Sequence, residues 1–302
     1  MNMIRILASD GLDKSAVKKL CENNCEVVEK FYNAEELAKE LCNYDVLVVR
    51  SATKVRKPVI DAAAEGGRLK LVIRAGVGVD NIDVKYAREK GIKVTNTPKA
   101  SSASVAELTI AHIFSLARFV GVANVTLREG KWEKKAYKGI EINGKTLGLV
   151  GFGRIAREVA KKANALGMNV IYTDILGKLD GCDEFKFMSL DELLKNSDFI
   201  SVHVPFIKED GALIKEKQIN MMKDGAFIIN CARGGVVCET ALLKALNSGK
   251  LAGAGLDVFE QEPAKNMALI NHLNVSVTPH IGGSTVEAQK RIGMEVVSII
   301  LK

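Results

Sequence analysis

The sequence is short of the residues that metal cages and disulfide frameworks require. Its 302 residues hold six cysteines, Cys21, Cys25, Cys42, Cys182, Cys231 and Cys238, with no CxxC pair among them, and only four histidines. Neither a zinc site nor a stapled scaffold is indicated, so no metal is expected and the cysteines read as free thiols, mostly small core residues. Long apolar runs are also missing, since none approaches the roughly 18 residues that a membrane helix needs. The N-terminal MNMIRILASDG enters a strand pattern directly, with no signal-peptide organisation. A cytoplasmic protein with no membrane partner is expected. A third absence is an aromatic-rich basic stripe. The 43 basic residues exceed the 36 acidic ones, for a formal charge of +7. They alternate with acids along helical patterns, as in Lys215-Glu216-Lys217, and so read as solvated faces. Nucleic acid is not an expected partner, and the surplus cations suit small anionic ligands.

What is present is an ordinary globular composition, 47% apolar and 26% charged. A chain of this length allows two cores, because single cores stop growing near ~250 to 300 residues. The most informative stretch is Leu147 to Asp174, LGLVGFGRIAREVAKKANALGMNVIYTD. An apolar run enters Gly151-Phe152-Gly153-Arg154-Ile155-Ala156, a helical pattern follows, and a second apolar run stops at Asp174. In a strand, glycine turn, helix and strand of this kind, Gly151 permits the turn and Gly153 lets backbone approach a pyrophosphate. The small Ala156 allows close helix packing. Asp174 comes 18 residues after Ala156, where a carboxylate can bond the adenine ribose hydroxyls. The stretch predicts dinucleotide binding, and Asp174 favours NAD over NADP.

Residues before Asn96-Thr97-Pro98 alternate strands and helices, which predicts a small parallel α/β domain. Two of its strand-end loops stand out, Arg50-Ser51-Ala52-Thr53 and Arg74-Ala75-Gly76-Val77-Gly78, the second with glycines whose N–H groups could hold a carboxylate. A long helix from Val105 to Arg118, apolar almost all round, is expected to pack between domains or at a subunit interface. Beyond the dinucleotide unit, recurring strands predict a six-stranded doubly wound sheet. The final helix, Thr285 to Leu301, is expected to cross back onto the first domain. The fold class is therefore α/β with two Rossmann-like domains, a doubly wound parallel-sheet NAD domain over 98–284 and a smaller flavodoxin-like substrate domain over 1–97 and 285–302.

Hydride removal from an alcohol needs a group that takes the hydroxyl proton. His112 lies inside the apolar helix and reads as structural, whereas His203 ends a strand and could line an adenine pocket. His272 lies in a polar connection. His280 follows the strand Val275 to Thr278 and opens Ile281-Gly282-Gly283, the strand-end position where such sheets bind ligands. Arg233, after Ile229-Asn230-Cys231, could grip a carboxylate with both arms of its guanidinium. Glu262, after the next strand, could stabilise an imidazolium on His280. Three strand ends offering Arg, Glu and His make a coherent hydroxy-acid dehydrogenase.

From about Arg50 onward the chain resembles the D-isomer-specific 2-hydroxyacid dehydrogenase family, through RSATKV, RAGVGVDNID, NTP, AELT, NGKTLGLVGFGRIAREVA, NCARGGVV, LDVFEQEP and TPHIGGSTVEAQ. The last block is similar to the branch that oxidises D-3-phosphoglycerate. The resemblance implies NAD as cofactor, Arg233 as substrate-carboxylate anchor, Glu262 as the paired carboxylate and His280 as acid/base. It implies cofactor contacts at Arg154, Ile155, Asp174, Val204, Cys231 and Arg233, with Asp257 near the nicotinamide amide. Val77, His203, Pro205, Ala232, Gly282 and Gly283 complete the expected cofactor set. Arg50, Ser51, Arg74, Gly76, Val77 and Gly78 are expected at the substrate, with Lys134 and Lys135 as further candidates for a substrate phosphate.

The sequence departs from the family pattern at Ala156, which stands for a third glycine, and at Val204-Pro205-Phe206-Ile207, which lacks a threonine. Lys99-Ala100-Ser101-Ser102 replaces an Asn-containing segment. The chain is expected to be a short form without the regulatory module of some relatives. NAD-linked oxidation of D-3-phosphoglycerate to 3-phosphohydroxypyruvate, in serine synthesis, is the expected activity. Reduction of glyoxylate or hydroxypyruvate is the alternative, and a corepressor-type dinucleotide sensor is a remote one. The apolar helix and the adjoining Phe119 to Val125 predict a homodimer.

Overall fold

The computed structural model describes residues 3–302. The chain divides into two compact units, one running to Ser101 and resuming at Gly283–Lys302, the other Ser102–Gly282.

In the first unit, strands β1 (Ile4–Ala8), β2 (Cys25–Glu29), β3 (Val46–Val49), β4 (Leu71–Arg74) and β5 (Lys93–Asn96) alternate with helices α1 (Lys14–Cys21), α2 (Ala34–Glu40), α3 (Lys57–Gly66) and α4 (Val84–Glu89). The strands pair in the order β2-β1-β3-β4-β5, and every pair is parallel. That is the flavodoxin-like order. The run Val46-Leu47-Val48-Val49 is buried throughout, because a parallel sheet is covered on both faces. Its residues alternate between two cores, Leu47 and Val49 in one, Val46 and Val48 in the other. The second core also receives Ile292, Val296 and Val297 from the C-terminal helix, which packs on α1 within this unit.

The second unit begins with α5 (Ser102–Arg118) and α6 (Val120–Arg128) and continues β6 (Thr146–Val150), α7 (Arg154–Ala165), β7 (Asn169–Thr173), β8 (Lys186–Phe187), α8 (Leu190–Asn196) and β9 (Phe199–Val202). Then come α9 (Glu216–Met221), β10 (Ala226–Asn230), α10 (Glu239–Asn247), β11 (Leu251–Leu256), α11 (Met267–Ile270) and β12 (Val275–Val277), before α12 (Val286–Ile300) in the first unit. The order β12-β11-β10-β9-β6-β7-β8 reverses direction between β6 and β9, the switch point where doubly wound sheets bind ligands. Seven strands replace the expected six. The extra one, Lys186–Phe187, pairs with β7 and is too short for its residues to show any periodicity.

The expectation for α5 needs correction. Val105, Ala106, Ile113, Leu116 and Ala117 are buried in the core shared with β6 and α7, so one face is covered inside this unit. Glu107, Phe114 and Arg118 lie on the exposed face. Among the described residues, no single helix is long and apolar enough to cross a membrane.

Candidate active site

The turn after β6 is built for backbone approach. Gly151 has φ +85°, a left-handed conformation that costs glycine little. A Cβ there would lie 2.9 Å from the His203 carbonyl oxygen and 2.7 Å from Val204 Cγ1. The turn after β6 therefore abuts the turn after β9. A Cβ on Gly153 would meet nothing within 4 Å, so open space faces the N-terminus of the 12-residue helix α7, where orphan N–H groups and the helix dipole favour phosphate. Asp174 Oδ2 accepts from Phe152 N–H at 2.8 Å and Oδ1 from Leu176 N–H at 3.0 Å. The acid is thus fixed beside the glycine turn. Ile175 is 99% exposed and Leu176 79%, an apolar pair in place of the cations that a 2′-phosphate requires. Lys178 is held instead by Asp183, Nζ to Oδ1 at 2.7 Å. His203 Nε2 lies 2.9 Å from Ser201 Oγ, and burial pushes its pKa down to about 4, so it is a neutral ring at pH 7. An open glycine cradle, a fixed acid and an apolar flank fit NAD.

The loops after β10 and β11 set the polar groups. Asn230, buried at the end of β10, accepts the Ala232 N–H on Oδ1 at 3.0 Å and donates Nδ2 to the Arg233 carbonyl at 2.9 Å. Asn230 therefore fixes the backbone that carries Arg233. It opens the NCARGGVV stretch at the same strand end, although no role was expected for it. Cys231 beside it is buried, which pushes its thiol up to about 12 and leaves it protonated.

His280 Nδ1 lies 2.7 Å from Glu262 Oε2, and both side chains are half-buried. Burial raises the Glu262 carboxyl, but the bond and charge of His280, the Phe259 N–H and the charge of Arg233 outweigh it and hold the group below its ordinary value. Glu262 is therefore a carboxylate and can only accept, which puts the neutral ring's proton on Nδ1 and leaves Nε2 as a lone pair. The backbone of His280 is left-handed, φ +53°, a sparsely populated conformation for a residue with a Cβ. Its neighbours are tied down, for Ile281 N–H and Gly282 N–H each donate to the Asp257 carboxylate at 2.8 Å. A Cβ on Gly282 would sit 3.0 Å from Asp257 Oδ2, so the carboxylate reaches that amide because the residue is glycine. Arg233, Asp257, Glu262 and His280 are thus gathered at adjacent strand ends of one unit, with a proton acceptor, its carboxylate partner and a cation. Such a set can bind an anion and accept a proton.

The remaining candidates divide between the units. Arg50, Ser51, Arg74, Gly76, Val77 and Gly78 lie in the first, as does Gly283. Asp10 Oδ2 accepts from Arg50 N–H at 2.6 Å and Thr53 N–H at 3.1 Å, while Asn81 Nδ2 donates to the Arg50 and Thr53 carbonyls, both at 2.7 Å. The Arg50 loop is clamped from two sides. Asn81 lies in the RAGVGVDNID stretch with no role expected for it, and Asp10, outside every such stretch, follows β1 at a strand end and meets the criterion applied to Arg50. The expectation of consecutive free amides in the second loop is corrected in part, since Gly76 N–H donates to the Arg74 carbonyl at 2.9 Å. Lys134 and Lys135 lie in the second unit, exposed in a turn after α6.

Known proteins resemble this chain in sequence and in fold. Residues 110–282 match the family model of the D-isomer specific 2-hydroxyacid dehydrogenase, NAD binding domain. The chain is 49% identical over its whole length to a hydroxypyruvate reductase of Thermotoga maritima, covering 99% of that protein. It is 46% identical over 99% of its length to a D-3-phosphoglycerate dehydrogenase of Methanocaldococcus jannaschii, of which it covers 57%. The chain thus spans just over half the length of that relative. A D-lactate dehydrogenase of Aquifex aeolicus, solved with NAD and lactic acid, superposes with TM-score 0.83 at 33% identity, over 98% of this chain and 94% of the other. The chain belongs to the D-isomer-specific 2-hydroxyacid dehydrogenase family. It is an NAD-dependent oxidoreductase with a Rossmann-type cofactor domain.

Proposed function

We propose that the chain oxidises D-3-phosphoglycerate to 3-phosphohydroxypyruvate, as in serine synthesis, with the residues over 102–282 binding NAD and the first unit selecting the substrate. The His280–Glu262 pair carries the chemical part of this reading. Gly151, Gly153, Arg154, Ile155 and Asp174 would hold the cofactor's adenosine and pyrophosphate, with His203, Val204 and Pro205 beside the adenine. Cys231, Ala232, Asp257 and Gly282 would hold its nicotinamide half. Bound there, NAD supplies the hydride acceptor. Arg233 grips the substrate carboxylate, and His280 Nε2 takes the hydroxyl proton. The resulting imidazolium is stabilised by the ionised Glu262 at Nδ1, which also fixes the ring. In reduction the same histidine returns the proton.

The phosphate distinguishes this reading from a second. Hydroxypyruvate reduction uses the same proton and hydride and differs only in lacking the phosphate, and the T. maritima relative that matches at nearly full length is a hydroxypyruvate reductase. The phosphate reading is supported by the clamped Arg50 loop, which presents a cation, with Arg74, Lys134 and Lys135 as further donors. Initial rates with phosphohydroxypyruvate, hydroxypyruvate and glyoxylate, each with NADH, separate the readings. The proposal expects the phosphorylated acid to have the highest kcat/KM, and a preference for hydroxypyruvate would replace it with the second. We further propose a homodimer in the cytoplasm, formed through α6, where Val120, Val125 and Leu127 are all more than half exposed. Light scattering that gave a 32.7 kDa particle would remove that assignment.

A further inference from the structure

We propose that His112, acting through Thr278 and Asp257, is a positioning residue for the His280 turn. The inference rests on the reading of His280 as the acid/base. The reaction itself makes no use of His112, whose ring is 2% exposed on α5. Its Nδ1 lies 2.9 Å from Ser276 Oγ and its Nε2 3.1 Å from Thr278 Oγ1. Thr278 Oγ1 donates in turn to Asp257 Oδ1 at 2.6 Å.

The proton directions follow from what each group can do. An ionised carboxylate only accepts, so the single hydroxyl proton of Thr278 is committed to Asp257. The Thr278 oxygen can then only accept from the ring, which puts the imidazole proton on Nε2. Nδ1 is left as the ring's lone pair beside Ser276 Oγ, whose hydroxyl also reaches Ser115 Oγ at 3.2 Å. Burial keeps the ring neutral, pushing His112 below its ordinary value against the opposing charge of Asp257. The donors therefore run one way, His112 to Thr278 to Asp257, and both dipoles point their positive ends at a carboxylate that is 1% exposed. Among the described residues no ion pair reaches Asp257, so donors alone stabilise its charge.

Asp257 passes this alignment to the reacting residue. Its two oxygens hold the amides of Ile281 and Gly282, directly after His280, while the Thr278 carbonyl accepts the His280 N–H at 3.0 Å. The left-handed backbone of His280 is thus bracketed by Thr278 on one side and by Asp257 on the other. Thr278 belongs to both brackets. Loss of the His112 donor would leave the Thr278 hydroxyl free to rotate away from Asp257, and would loosen the turn that aims Nε2. A misplacement of about 1 Å can cost ~100-fold in rate, so a buried hydrogen bond can act on kcat without touching substrate.

The test compares Thr278→Val and His112→Met, which remove the hydroxyl and the ring donor, with Thr278→Ser and His112→Gln, which keep a donor at each place. Rates are measured with hydroxypyruvate and with phosphohydroxypyruvate, each with NADH, beside NAD affinity and the thermal midpoint. The expected result is a loss in kcat of about 10- to 100-fold in Thr278→Val and His112→Met, larger than any change in KM or NAD affinity, with a midpoint lowered by the lost buried hydrogen bond but well above the assay temperature. Thr278→Ser and His112→Gln should recover most of the rate. Because the effect passes through His280, Thr278→Val should cost little more in a His280→Ala background, a non-additivity that residues acting as one unit display. Wild-type kcat in both disrupting variants while His280→Ala is inactive would overturn the proposal. So would a Thr278→Ser variant as slow as Thr278→Val, or full additivity with His280→Ala. A His280→Ala enzyme that kept its activity would instead remove the acid/base assignment itself, and this inference with it.

Discussion

The two units are built alike, each a parallel sheet with its loops at the strand ends, yet they use their acids differently. In the second unit carboxylates meet other side chains: Glu262 holds His280, and Asp257 takes the Thr278 hydroxyl. In the first unit Asp10 binds the Arg50 and Thr53 amides and the Thr53 hydroxyl, and Asn81 binds the Arg50 and Thr53 carbonyls. Both arrangements fix a strand-end backbone, Asp257 through the Ile281 and Gly282 amides and Asp10 through those of Arg50 and Thr53, but in the second unit a carboxylate is also paired with a histidine. Under the proposed function the site with the paired histidine performs the chemistry and the other recognises the anion. A division of labour can thus be read from hydrogen-bond partners even where the folds are similar.

The largest effect expected from this contrast is at His280. His280→Ala should lower kcat about 100-fold or more with NAD affinity kept, measured by steady-state rates and cofactor titration, for every substrate alike. Glu262→Gln should keep the ring's hydrogen-bond partner but lose the charge that favours the imidazolium. The acidic limb of the kcat/KM profile for oxidation, where the base must be neutral, should then move to lower pH. An unchanged rate in His280→Ala would mean that the proton passes elsewhere and that the second unit is not the chemical one.

A comparable effect is expected at Asp174, whose fixed carboxylate would repel a 2′-phosphate. With a charge-assisted contact worth roughly 1.5 to 3 kcal/mol, NAD should be preferred over NADP by about 10- to 150-fold in kcat/KM. Equal values would show that the exposed Ile175 and Leu176 leave room for the phosphate.

The last effect concerns stability rather than rate. His203 takes up a proton near 6.5 when unfolded and near about 4 when folded. Between those values the unfolded chain binds more protons, so stability falls as pH drops through that window, by about 3 kcal/mol in all, and is untouched above it. Glu262, depressed in the folded state, adds its loss only below the ordinary carboxylate range. Thermal midpoints from pH 7 to pH 4 should decline less in His203→Gln than in wild type, and parallel curves would show that His203 titrates normally.

Much of this architecture was legible because it is local in sequence. Gly151, Gly153 and Asp174 declare a nucleotide turn through spacing, and Arg233, Glu262 and His280 each follow an apolar run that had to be a strand. What was illegible depends on approach across the fold. Asn230 and Asp10 are ordinary polar residues until a loop folds back on them, and β8 is two residues long. His112 was read as structural because it sits in an apolar helix. That helix packs against β12, which brings the ring to Ser276 and Thr278, more than 160 residues later in the chain.

The division between the units is tested most directly by Arg50→Ala, assayed with D-3-phosphoglycerate and with D-glycerate. The account predicts that kcat/KM for the phosphorylated acid falls by about 10- to 150-fold, the value of one charge-assisted contact, while D-glycerate, which never makes that contact, loses little. Equal losses for the two substrates would contradict it, and would mean that Arg50 supports the fold or the carboxylate rather than the phosphate.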